Sequence, residues 1–153
     1  MKKLISLVVI TLALISCDQP LPGAAISAKS PVDSLITNWS NTWNNHDSAG
    51  VRNMFVGNAL LIDDNLVASG QEEISSKWIH PNINAVNHFK TTHLQDWYGN
   101  ERAGYTGSYE FDVLVKDSVV AKPRGIYTVN WIKTDNGAWK ITTAVIHSLT
   151  DTK

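Results

Sequence analysis

Val32, Leu35, Ile36, Trp39 and Trp43 recur at helical spacing, which predicts a first helix with one apolar face. Ser30-Pro31-Val32-Asp33 supplies its start, with a capping serine and a proline suited to the first turn. Asn44-Asn45-His46 ends it. Asp47 is placed to cap a short second helix that turns Val51, Met54 and Phe55 inward and stops at Gly57-Asn58. Residues 59–62 and 66–68 are short strand candidates around the turn composition Asp63-Asp64-Asn65, which reads as solvated. Ser69-Gly70-Gln71-Glu72 opens a further helix that carries Ile74 and Trp78 and is closed by Pro81 after His80.

From His88 the period changes from that of a helix to that of a strand. Residues 88–98 read as one strand, with a turn at Gly99-Asn100. Residues 104–116 are the clearest, because Thr106, Ser108, Glu110 and Asp112 alternate with Gly107, Tyr109, Phe111 and Val113. Residues 124–134 and 138–149 follow, joined by a hairpin loop at Asp135-Asn136-Gly137. Helices first and strands last predict an α+β fold with the helices on one face of a curled antiparallel sheet.

The first residues carry a different pattern. Lys2 and Lys3 precede a short apolar run, as in a secretory signal, and the run is too short to span a membrane. Leu14-Ile15-Ser16-Cys17 resembles a bacterial lipobox, and Cys17 is the only cysteine of the chain. The resemblance implies cleavage before Cys17 and acylation there, the sole contact with a membrane. Several acyl chains anchor stably, at about 0.8 kcal/mol per buried methylene. The expected organisation is a signal peptide over 1–16, lipidated Cys17 with a flexible tether over 17–29, and one domain over 30–153. The chain then belongs in a bacterial cell envelope, with inner and outer membrane both open, since the sorting meaning of Asp18 differs between bacterial groups.

Composition narrows the function classes. Apolar residues at 43% and charged residues at 18% suit a globular domain with a real core. A formal net charge of −1 leaves no basic footprint for nucleic acid. The chain has no HExxH pattern, GxSxG elbow, P-loop or dinucleotide fingerprint, and His88 and His93 fall on opposite sides of one strand. No metal or cofactor is expected.

The run 104–109 (Gly-Tyr-Thr-Gly-Ser-Tyr), the run 124–131 from Arg124 to Trp131, Asp135-Asn136-Gly137-Ala138-Trp139-Lys140-Ile141 and the closing His147-Ser148 resemble the SnoaL-like branch of the nuclear-transport-factor-2-like superfamily. So do Trp43-Asn44-Asn45-His46-Asp47 with Phe55 behind it, and Gly70 with Ile74 and Trp78. The resemblance covers roughly residues 32–150. It implies a cone: a bent sheet wrapped around the first helix, with a pocket at one end. The superfamily includes isomerases, dehydratases, cyclases, binders and dimerisation modules, so function rests on the site.

Strand alternation and helix faces give an expected pocket of Trp39, Trp43, Phe55, Trp97, Tyr109, Phe111 and Thr143, with Phe89 and Thr91 beside them. On the last strand Trp139, Ile141, Thr143, Val145 and His147 share one side, taken as inward. His147 and His93 are the candidates for acid–base work, since imidazole titrates near neutral pH; each also reads as an ordinary hydrogen-bonded histidine. Asp47 reads as a helix cap rather than a base. Three functions follow: a lipoprotein binding a small, mostly apolar ligand in the cone; an isomerase, dehydratase or cyclase using a pocket histidine; or a filled cone that makes a homodimer through its sheet face.

Overall fold

The Ser30 hydroxyl accepts from the Val32 amide at 3.2 Å, and helix α1 runs over Val32–Asn44. The computed structural model describes residues 30–149; the signal segment, Cys17 and the tether lie outside the described residues. Trp39 and Trp43, one turn apart, bury the same face of α1. Both polar atoms of the Asn44 side chain are used at its end: Nδ2 donates to the Phe89 carbonyl at 3.0 Å, and Oδ1 accepts from the Phe89 amide at 2.6 Å. The helix is thereby clamped to a strand 45 residues away.

Asp47 caps α2 (Ser48–Asn53), accepting from the Gly50 amide at 2.8 Å. Phe55 does not sit on this helix, as its local pattern predicts. It opens strand β1 (Phe55–Asp63), and Gly57-Asn58 lie within that strand. The reason is long-range pairing: Phe55 is opposite Ile141, whose amide donates to the Met54 carbonyl at 2.7 Å.

Strand β2 (Leu66–Ser69) returns along β1, and α3 (Gly70–Ile74) follows. The Glu73 carboxylate, rather than that of Glu72, accepts from the Ser69 amide at 3.1 Å. A π-helical turn over Ser75–Ile79 then leads into a last helical turn, α4 (His80–Asn82). The chain passes through Pro81 instead of ending there, because the ring sits in the first turn of α4, where its missing N–H costs nothing.

Four long strands complete the sheet: β3 (Asn87–Tyr98), β4 (Arg102–Val115), β6 (Arg124–Lys133) and β7 (Trp139–Ser148). A short β5 (Ser118–Ala121), not expected from the sequence, pairs with the end of β4 across Lys116 and Asp117, both left-handed. The order is β2-β1-β7-β6-β4-β3, antiparallel except for β1 beside β7. Phe55, Leu61, Ile74, Ile79 and Ile141 are fully buried between helices and sheet. The architecture is the expected α+β cone, a curled sheet closed on one side by the helices.

Single-residue bulges on β7 and β3 set which side chains beyond them face into the cone. On β7, Ile141 is opposite Trp131 and Thr143 opposite Asn130, so Thr142 is the extra residue. On β3, His93 is opposite Gly107 and Gln95 opposite Thr106, so Leu94 is extra. An inserted residue reverses the in–out phase of everything beyond it.

Candidate functional site

The cone encloses a cavity of about 340 Å³. Its helical wall is Trp39 and Trp43 from α1 and Trp78 from the π turn; its sheet wall is Phe89, Tyr109, Phe111 and Tyr127. Aromatic residues are therefore seven of the fourteen that line it. Trp78 meets Trp43 edge-on at 4.9 Å and stacks on Trp39 at 6.2 Å. Tyr109 stacks on Phe89 at 6.2 Å and on Phe111 at 6.1 Å.

The polar end is built by β1 and β7. Ala59 and Leu61 are buried on β1, so Asp63, two residues further, faces the same way into the cavity. Trp78 Nε1 donates to Asp63 Oδ2 at 2.7 Å, and Asn82 Nδ2 donates to the Trp78 carbonyl at 2.8 Å, holding the indole turn in place. Asp63 is thus a half-buried cavity residue, not the solvated turn residue its neighbours suggest. The turn begins with Asp64, in the left-handed conformation at φ 48°. Asp64 Oδ1 accepts from the Ser148 amide at 3.0 Å and lies 3.0 Å from His147 Nδ1.

These environments split the two carboxyls. Burial pushes Asp63 above the usual carboxylate range, with Asp64 adding to the rise and the Trp78 indole opposing it. Hydrogen bonds from the Ser148 hydroxyl and amide hold Asp64 below that range, aided by His147. Burial also raises the Tyr109 phenol, opposed by its hydrogen bond with Ser148.

Of the residues expected in the pocket, Trp39, Trp43, Tyr109 and Phe111 line the cavity. Phe55 lies in the core beneath Trp39, its ring 6.2 Å away and edge-on. The bulges account for the others. Beyond Thr142 the inward set on β7 is Ala144, Ile146 and Ser148, so Thr143, Val145 and His147 face out, and the His147 side chain is 72% exposed. Beyond Leu94, Trp97 lies on the outer face, 50% exposed, across Gly104. His93 keeps the phase of Phe89 but sits past the covered part of the sheet, 56% exposed, bonded to Asp96 at 2.7 Å. Among the described residues no histidine lines the cavity, and the expected acid–base histidines are outside it. Ile146 and Ser148 were hidden by the bulge, whereas Asp63 was legible from the Ala59-Leu61-Asp63 alternation.

The curled sheet, the helices on its inner side and the open end give the chain a nuclear-transport-factor-2-like, cystatin-like fold. Solved structures carry the same fold. A ketosteroid isomerase-like protein from Erwinia carotovora atroseptica superposes with TM-score 0.66 at 12% identity, covering 78% of this chain and 94% of that one. A nuclear transport factor 2-like superfamily protein from Salmonella enterica serovar Typhimurium gives 0.65 at 12% identity, covering 80% and 91%. A nuclear transport factor 2-like protein with a cystatin-like fold from Novosphingobium aromaticivorans gives 0.64 at 10%, covering 79% and 81%. No family model and no curated protein matches the chain.

Proposed function

We propose that this chain is a SnoaL-like envelope lipoprotein whose cone binds a small, mostly apolar molecule. The observation that carries the binding reading is the cavity itself. It is a 340 Å³ space walled largely by rings, with the Asp63 and Asp64 carboxyls at its polar end. An apolar concavity with a few convergent polar groups is the usual form of a small-molecule site. A cone acting only as a dimerisation module has no need of such a space. Proton transfer is the second reading. It rests on Asp63, whose half-buried carboxyl is pushed above the usual carboxylate range by burial, in place of a histidine.

Full-length protein taken from its host and examined by native mass spectrometry is expected to carry a discrete non-covalent adduct. Ile146→Trp, which fills the cavity from β7, should lose the adduct while keeping the near-ultraviolet circular dichroism of the parent. Ligand-free protein in both cases would overturn the binding reading.

The envelope location is supported by the lipobox-like Leu14-Ile15-Ser16-Cys17 and the single cysteine. Cys17→Ala is expected to leave the chain unprocessed or release it from membranes on fractionation. A processed variant still in the membrane fraction would contradict the anchor.

A further inference from the structure

We propose that the molecule this cavity takes is an organic cation: an apolar body bearing an alkylated ammonium group, held against Asp63 and Asp64 with its methyl groups over the surrounding rings. The proposal rests on the binding reading above and adds the charge and class of the ligand.

The charge inventory points this way. Two aspartates line the cavity, and among the described residues no Lys, Arg or His side chain does. Among the described residues Asp63 receives one neutral donor, the Trp78 indole, so much of its acceptor capacity faces the cavity. A half-buried carboxylate without a cationic partner is unfavourable, and an ammonium ligand removes that penalty. Lys122, on the strand connection leading to the cavity's Pro123, is engaged by Asp112 at 2.7 Å. An anionic ligand would meet two carboxylates and no counter-charge.

The ring inventory points the same way. A neutral apolar ligand is served equally well by aliphatic walls, and this protein has aliphatic residues in quantity. Leu61, Ile74, Ile79 and Ile141 are fully buried, yet none of them lines the cavity. Seven of the fourteen lining residues are instead tryptophan, tyrosine and phenylalanine, whose faces carry negative electrostatic potential, against only Val86, Pro123 and Ile146 as other apolar side chains. Rings gathered around a carboxylate are the environment that recognises alkylated ammonium groups, which are weakly hydrated and attracted to ring faces.

The pH dependence has a definite sign. A cation favours ionised Asp63, so affinity is full above the Asp63 pKa and is lost as pH falls through it. The groups facing Asp63 are Asp64, the Tyr109 phenol and the Trp78 indole. Asp64 is held low and keeps its charge longer on acidification. His147 Nδ1 lies 3.0 Å from Asp64 Oδ1, its ring on the outer face of the sheet.

A matched pair of probes tests this on the purified full-length chain. 3-(Trimethylammonio)phenol and 3-tert-butylphenol have the same shape and differ by one charge. Binding is read from tryptophan emission, since three tryptophans line the cavity, and checked by calorimetry. The cation is expected to bind roughly tenfold tighter or more, as a desolvated cation–ring contact beside a carboxylate implies. Asp63→Asn keeps an oxygen for the Trp78 indole. It should weaken the cation by about the same factor and the neutral phenol far less, with the parent's near-ultraviolet circular dichroism reporting that the variant is folded. The preference should shrink in acid. Equal or tighter binding of the neutral phenol would overturn the cation inference while the binding reading stands. Failure of both probes to bind would overturn the two together.

Discussion

Trp43→Ala is expected to cost roughly 3–5 kcal/mol of folding stability, as aromatic truncations in cores do. The Trp43 side chain is 3% exposed. Its ring meets Trp78 edge-on at 4.9 Å and Trp39 at 5.9 Å, so it joins α1 to the π turn that carries Trp78. Nothing nearby can relax into the gap, because one side of the ring already borders the open cavity. The new void merges with the old one, and the indole that holds Asp63 loses its edge-on support. A domain of this size has about 5–15 kcal/mol in total, so the variant should unfold at a much lower urea concentration. A loss under about 1 kcal/mol would show that the tryptophan cluster is not a structural unit.

Gly125→Ala is expected to destabilise by roughly 1–3 kcal/mol, the usual range for overpacking a tight site. A Cβ at Gly125 would lie 2.3 Å from the His147 carbonyl oxygen and 2.5 Å from the Tyr109 ring. The carbonyl belongs to the neighbouring strand and cannot swing aside. Gly125 pairs with Tyr109 on β4 and with Ser148 on β7, so the bare backbone lets the Tyr109 phenol cross β6 to Ser148. The substitution should therefore lower the thermal midpoint and displace Tyr109 from the cavity wall together. Gly104→Ala is the comparison: the three atoms nearest its Cβ all belong to the Trp97 indole, half exposed on the outer face and able to move away. Equal losses at the two glycines would show that strand separation is not the cause at Gly125.

The elements that the sequence determined by itself are those governed by local chemistry. Trp39 and Trp43 at four-residue spacing fall on one helical face wherever the helix packs, and Asp47 caps α2 because a short carboxylate before a helix accepts from its first amides. Alternation along β4 placed Tyr109 and Phe111 inward, since no inserted residue interrupts β4 against β6 from Arg102 to Glu110. The change from helical to strand period predicted α+β with helices on one face of a curled sheet, and the family resemblance implied the cone. Phe55 was different: its helical context was overridden by pairing with Ile141, a partner 86 positions away that no local pattern contains.

The tertiary structure alone decided the polar half of the cavity. Alternation counts residues, and a bulge at Thr142 or Leu94 changes the count without leaving a mark in the apolar pattern. That single extra residue on β7 turned His147 out to solvent and brought Ser148 in; the one on β3 put Trp97 on the outer face. Asp63 lay on a legible face of β1, but its chemistry came from elsewhere. The indole that bonds it is fifteen residues on, in a π turn, and the burial that raises its pKa is supplied by the closed cone. Local residue types determine what a segment can form, whereas strand register and the meeting of distant elements determine which of its groups share one cavity.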